Sequence, residues 1–518
     1  MENIISKKKR AFLLFLLFIL NIIIRIPSIP HEKGIDSFFI HLLANSLSLY
    51  GESRWWINIY SIFGFFPFSY PSATPFSLSG IEQVANVNME YSILLYCILL
   101  GLFSMFSMYV FAGALYNNFL FKYIASMFFS LSQGVLLYTT WEVSQRGVFL
   151  VFFPIFIYLI LKDKISNVKK CFLLLTLLIF LYATHHLAFL TILPIIAYSC
   201  LHLIKARNIK KLNEQGVYIY VIMLIIALIT PFFTGLFIEG ESRYNWVVDA
   251  FIELARWIGP LIFIAFGGIM FTLINKDKNL KDWYILILLL VSTPLIYLQK
   301  YGKFLLIPLA IIFITIAFIN IIRLDIKNKN RLRIFIILIL LFTFSYSSFF
   351  NHARTSSSSS YWYMSEETFC GGNWAKDYVP EGSRAVGPSA DNTPASLNSK
   401  RLCSIARGHF IIPIQGAADL AHGLVSISGI SYVQNSVLST NFYFDGPFTS
   451  RDEYSLPGKV NWMLGRENID DPKIKSMIHN MSVNYIFEDT YNVYKIMPSI
   501  YNTKNRIYDS GNLRIHKV

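Results

Sequence analysis

Long, nearly uncharged apolar runs alternate along the chain with short clusters of Lys and Arg. A helix needs ~20 apolar residues to cross a bilayer. Applied along the sequence, that length predicts about eleven spans, roughly 11–30, 91–115, 122–140, 147–161, 171–184, 187–204, 214–236, 251–274, 282–298, 303–322 and 334–350. The basic clusters between them are Lys7–Arg10, Lys162–Lys170, Lys205–Lys211, Lys276–Lys281 and Arg323–Arg333. Cytoplasmic loops collect Lys and Arg. Alternating sides from a cytoplasmic N-terminus puts every one of these clusters inside without conflict. One stretch is ambiguous: Cys171–Ile204 is too long for one helix and short for two, with His185-His186 near its middle. Two short helices meeting near the outer surface fit the charges better than one tilted span.

Every polar cluster suited to chemistry then faces outward. The external side is expected to consist of a long first loop (31–90), short loops at 141–146, 237–250 and 299–302, and a C-terminal domain. The division that follows is a membrane domain over 1–350, a Ser-rich linker over 351–362 containing Ser356–Ser360, and an extracytoplasmic domain over 363–518. Strand-like runs at 482–488 and 512–516 and a helix ending at Tyr378 make that domain mixed α/β.

Composition agrees with this class. The 518 residues are 54% hydrophobic and 15% charged, with a mean hydropathy of +0.49. The fold class is therefore a polytopic α-helical membrane protein carrying a soluble part. The net charge of +14 belongs mostly to the inner loops, and no interleaved basic and aromatic surface suggests nucleic acid. The first apolar run has no small-residue cleavage pattern and reads as a retained signal-anchor. Cys97, Cys171 and Cys200 fall in predicted spans. Cys370 and Cys403 are the two in the external domain, where an oxidising exterior allows them to pair.

Candidate chemistry starts with Asp36, a few residues beyond the first span in RIPSIPHEKGIDSFF (Arg25–Phe39). A carboxylate at that depth can act as a general base or help hold a divalent cation. On spacing alone, the reading as N-cap of the amphipathic stretch Phe38–Tyr50 comes first. Glu142 and Arg146 stand at i,i+4 and would share a helix face, as a functional pair or as a simple interfacial ion pair. His185 and His186 need partners or water within an apolar run and suggest a polar cavity more than a metal. Arg243, Lys300 and Lys303 lie where cations suit a phosphate at headgroup depth, and equally suit snorkelling to lipid. The block FGFFPFSYPSATPF (Phe63–Phe76) reads as an interfacial belt or lid.

The stretch Arg25–Phe39 with YPSATP (Tyr70–Pro75), the second loop TTWEVSQRGVFLVFFPI (Thr139–Ile155), and the tail segments VNYIFED (Val483–Asp489) and IYDSGNLRI (Ile507–Ile515) resemble the C-superfamily (GT-C fold) of membrane glycosyltransferases. The likeness is to archaeal relatives of oligosaccharyltransferase catalytic subunits and to protein O-mannosyltransferases, by layout more than by strict motif. It implies transfer of a sugar from a polyprenyl (dolichyl) phosphate or diphosphate carrier to a protein or lipid-glycan acceptor outside the plasma membrane. Asp36 would be the base or, with Glu142, a ligand to Mg or Mn. Cationic side chains would hold the lipid phosphate. The WWDYG signature is absent and Asp36 is followed by Ser37, where mannosyltransferases show Asp-Glu. A monosaccharide transferase or a ligase is therefore expected before sequon-directed N-glycosylation. A scaffold, a lipid-handling protein or a transporter would share the topology.

Overall fold

The computed structural model describes residues 6–51, 65, 71–162, 165–205, 209–234, 252, 254–296, 302–323, 329–356, 364–380, 383–386, 410–414, 471–480, 483–489, 505–511 and 513–518. Its first part is almost entirely helical: α1 (Lys7–Ile23), α2 (Ile35–Tyr50), α3 (Ala73–Ala85), α4 (Met89–Leu115), α5 (Phe119–Ser130), α6 (Gln133–Leu137), α7 (Gln145–Leu161), α8 (Asn167–Thr184), α9 (Ile192–Lys205), α10 (Ile209–Thr234), α11 (Ile262–Ile274), α12 (Leu280–Ser292), α13 (Lys303–Arg323) and α14 (Lys329–Ser356). Helix starts follow the polar residues between runs. Asn88, Asn118 and Ser144 cap α4, α5 and α7, and Asn279 with Asp282 forms a capping box at α12, each satisfying N–H groups the helix leaves open.

Burial sorts the helices. The apolar window of α13 is 78% buried, against 11% for α8, so α13 runs through the centre and α8 along the rim. Large side chains such as Phe15, Phe172, Ile222 and Phe263 stay exposed on the rim helices, which suits lipid as the surrounding solvent. The chain is a multi-pass integral membrane protein. Among the described residues, α4, α8, the helix His186–Leu203 and α13 are long and apolar enough to cross by themselves, with shorter apolar helices beside them. At the centre, α11 and α13 touch backbone to backbone: a Cβ built on Gly268 would lie 1.8 Å from the Phe313 carbonyl oxygen, an approach open only to glycine.

Three sequence expectations change. The run 122–140 is two helices, because α5 stops at Ser130 and α6 covers only Gln133–Leu137 before an irregular stretch. The last apolar helix continues to Ser356, past the expected boundary at 350 and into the serine stretch. Residues 73–85, expected as loop, form α3. The paired short helices at Cys171–Ile204 are present as α8 and α9, joined by a 3-10 turn at His186–Thr191.

The C-terminal part contains α15 (Glu366–Tyr378), α16 (Pro472–Asn480) and five strands: β1 (Ser383–Val386), β2 (Phe410–Ile414), β3 (Val483–Asp489), β4 (Asn505–Asp509) and β5 (Leu513–Lys517). They form one mixed sheet in the order β2-β1-β3-β5-β4, with β1 parallel to β2 and β3, and β5 antiparallel to β3 and β4. Leu42 of α2 packs with Ala375 and Val379 of α15, Tyr485 of β3, and Leu513 and Ile515 of β5. The helix that follows the first span thus joins the bundle to the sheet.

Candidate functional site

Between α1 and α2 the chain makes a compact polar bend. Gly34 adopts φ +93°, and a Cβ there would sit 2.6 Å from Glu142 Cγ, so both the turn and the close approach require glycine. Gly34 is the N-cap of α2 and Asp36 lies inside its first turn, where a carboxylate meets the positive end of the helix dipole. The expected Asp36 cap is corrected by this glycine turn, which starts the helix two residues earlier and leaves the carboxylate available. Asp36 Oδ2 accepts a hydrogen bond from Ser144 Oγ at 3.0 Å and faces Arg146 Nη1 at 3.5 Å. Asp36 and Arg146 side chains are 29% and 32% exposed, so the pair borders open space.

The second loop meets this bend edge-on. Trp141 takes the left-handed φ of +51°, and Lys33 N–H donates to its carbonyl at 3.1 Å. Because α7 begins only at Gln145, Glu142 and Arg146 do not share a helix face; the expected i,i+4 pair is corrected by a loop that Ser144 closes as N-cap. Glu142 instead packs over Gly34. Arg146 bonds Tyr138 and lies within electrostatic reach of His185. His185 caps the 3-10 turn by accepting from Leu187 N–H, and its ring stands 4.0 Å from that of His186. Tyr138 stacks on Trp257, whose face carries Lys303 Nζ at 3.9 Å. Asp36, Glu142, Arg146, His185, His186 and Lys303 therefore border one region. Arg243 and Lys300 lie outside the described residues, as does Cys403; Cys370 is an exposed free thiol on α15.

A buried layer beneath Asp36 was not singled out from sequence. Glu32 is fully buried, its carboxylate bonded to His41 and, at 3.1 Å, to Ser37 Oγ. Ser37 Oγ in turn accepts from Val143 N–H at 3.2 Å. Glu90 Oε1 accepts from Glu32 N–H and meets His31 Nδ1, both at 3.0 Å. His31 also faces Glu366 of α15 at 3.3 Å and stacks on Phe369. Burial opposes charge on His31, but the Glu90 and Glu366 carboxylates outweigh it and hold the imidazole pKa above its ordinary value. The charged triplet His31-Glu32-Lys33 directly after a span was the one available signal.

Arg25 fixes the floor of the region. Wholly buried, its guanidinium donates to Asn21 O and Oδ1, Ser130 O and Thr139 Oγ1, tying the end of α1 to both ends of the irregular stretch before the second loop. As for a metal, no group of three or more His, Cys, Asp or Glu among the described residues is arranged to hold one. Asp36 Oδ2, the expected ligand, already faces a guanidinium, and a second cation there would be repelled. The described donor set does not fit a divalent ion.

No family model matches the chain, and no curated protein matches it by sequence. Solved structures do. The Archaeoglobus fulgidus oligosaccharyltransferase tethered to an acceptor peptide containing the NVT sequon aligns with TM-score 0.58 at 11% identity, covering 93% of this chain and 69% of that one. The same archaeal enzyme in complex with an inhibitory peptide and a dolichol-phosphate aligns with TM-score 0.55 at 9% identity, covering 93% and 69%. A mutant of the arabinofuranosyltransferase AftD from Mycobacteria aligns with TM-score 0.52 at 12% identity; this chain is covered to 99% but spans only 42% of that protein. The fold is that of the GT-C membrane glycosyltransferases over most of the chain.

Proposed function

We propose that the protein is a glycosyltransferase that moves a sugar from a polyprenyl phosphate or diphosphate carrier to a protein or lipid-glycan acceptor at the outer face of the membrane. The observation that carries this reading is the meeting of Asp36 with Ser144 and Arg146, from a loop more than a hundred positions away, at a partly open edge. The shared fold supports the reaction class, and a neighbour with that fold was solved holding a dolichol-phosphate. The five basic clusters, all assigned to the opposite side, support an outward-facing site and a plasma-membrane location.

In this reaction an acceptor heteroatom attacks the anomeric carbon as the bond from that carbon to the carrier phosphate breaks. The phosphate leaves with the electron pair, and the single displacement inverts the sugar. Asp36 acts as the base that takes the acceptor proton, with Ser144 fixing the orientation of its carboxylate. Arg146 pairs with Asp36 in the resting site and turns to the phosphate when the carrier enters, which leaves Oδ2 bonded to Ser144 alone and able to take a proton. Lys303, His186, Arg243 and Lys300 complete the phosphate grip. Glu142, closed over Gly34, borders the acceptor side.

The test compares cell-surface glycans of a deletion strain complemented with the wild-type gene or with Asp36→Asn. Loss of one sugar or glycoform in the deletion, restored by wild type alone at equal protein level, is expected. A positioned base contributes on the order of a hundredfold or more to rate, so the variant should fail visibly. An unchanged profile in the deletion strain would instead establish a scaffold or lipid-handling role, for which the Asp36–Arg146 pair is a structural tie.

A further inference from the structure

Glu32 is a carboxylate with no access to solvent that takes no part in the reaction proposed above, and nothing about helix formation requires it. Removing an ionisable group from water is costly unless every bonding position is met. Here each is occupied, by groups from three elements. Its N–H donates to Glu90 of α4, and its carbonyl accepts from Met364 N–H just before α15, both at 3.0 Å. One carboxylate oxygen meets His41 of α2, and the other accepts from Ser37 at 3.1 Å. Ser37 has one hydroxyl proton, and Glu32 takes it. Its oxygen is thereby aimed at the Val143 N–H, 3.2 Å away, and the next residue is Ser144, which holds Asp36 at 3.0 Å.

We infer that Glu32, His41 and Ser37 form a positioning array that sets the second loop over Asp36, so that sugar transfer depends on a carboxylate which touches neither donor nor acceptor. This deepens the glycosyltransferase reading and rests on it for its effect on rate, but not for its effect on the loop. His41 fixes the Glu32 rotamer from below, and Ser37 transmits it. Loss of either link lets the Val143 amide go and releases Ser144 and Arg146 from their pose. The array also explains why Asp36 is followed by a serine: the hydroxyl serves the loop rather than capping the helix.

The experiment uses the full chain in nanodiscs with four variants: Ser37→Ala, Ser37→Thr, Glu32→Gln and Asp36→Asn. Amide exchange over residues 139–146 and thermal unfolding are measured first. Initial rates are then taken against the concentration of deletion-strain membranes, which supply native lipid-linked donors and unmodified acceptors. Ser37→Ala and Glu32→Gln should speed exchange in 139–146 with little shift in unfolding. They should lower the limiting rate on the order of tenfold to a hundredfold, as small misplacements of catalytic groups do, while the half-saturating membrane concentration holds. Ser37→Thr, which keeps the hydroxyl, should restore both readouts. Should Glu32→Gln fail to fold, Ser37→Ala still decides. Unchanged exchange in 139–146 for Ser37→Ala, or a lowered rate with no recovery in Ser37→Thr, overturns the inference. Loosened exchange alongside wild-type protein that transfers no sugar keeps the array and removes the transferase reading instead.

Discussion

Arg25 makes its four hydrogen bonds to neutral oxygens on α1, the end of α5 and Thr139. Arg25→Met keeps much of the volume and deletes every donor, leaving the buried carbonyls of Asn21 and Ser130 without the guanidinium at a cost of about 2–4 kcal/mol. Thermal unfolding of the purified variant in detergent should show it. Gly101→Ala should act in the same direction, because its Cβ would fall 1.9 Å from Arg25 Nε. At this scale the sequence singled out Asp36 and Arg146 in external loops and the two histidines within an apolar run, and the folded chain brings Arg146 to Asp36 and within electrostatic reach of His185. Of the two readings open for Asp36, the cap fails, since only the backbone reveals that Gly34 takes a positive φ and starts the helix. Glu142 and Arg146 fit a helical spacing, but Trp141 and Ser144 break the helix between them. Glu32 and His41 were illegible for a different reason: their meaning comes from Ser37 and Val143, which no spacing rule connects.

Helices were the most readable level, because lipid demands long apolar runs and a run records its own length. The exceptions are local. The break after Ser130 coincides with Ser132-Gln133-Gly134, a polar interruption short enough to sit inside an otherwise apolar run, and α3 carries too many polar residues to announce itself. Contacts between helices were not written in the runs at all. For α11 and α13 the contact predicts opposite fates for adjacent glycines. Gly268→Val should destabilise the protein by about 2 kcal/mol or more through overpacking against the Phe313 backbone. Gly267→Ala, whose new methyl would meet only Ala317 Cβ at 3.8 Å, should be neutral or slightly stabilising, since alanine loses less freedom than glycine in a helix. Parallel melting curves of the two variants separate the outcomes.

For the whole molecule, the junction between bundle and sheet is a titratable clamp. His31 sits between Glu90 of the bundle and Glu366 of α15, and folding raises its pKa above the ordinary 6.5. The clamp's contribution is complete below that ordinary value and is lost as pH rises through the higher folded value. Exchange of residues 364–369, corrected for intrinsic rate, should therefore accelerate across that upper window, and Glu366→Gln should reduce the dependence. Sequence marked a change from membrane to soluble composition near residue 350, but not the docking of one part on the other, which depends on Leu42 finding the sheet.

That docking also fixes an order of events during synthesis. Leu42 is translated well before Leu513 and Ile515, against which it packs. Before β5 is made, Leu42 can meet Ala375 and Val379 of α15 but lacks the strand that lies between β3 and β4 and completes the cluster. The helix that carries Asp36 thus gains its full set of sheet contacts only after β5 has left the ribosome, so a chain stalled before Leu513 would enter the membrane with that docking incomplete.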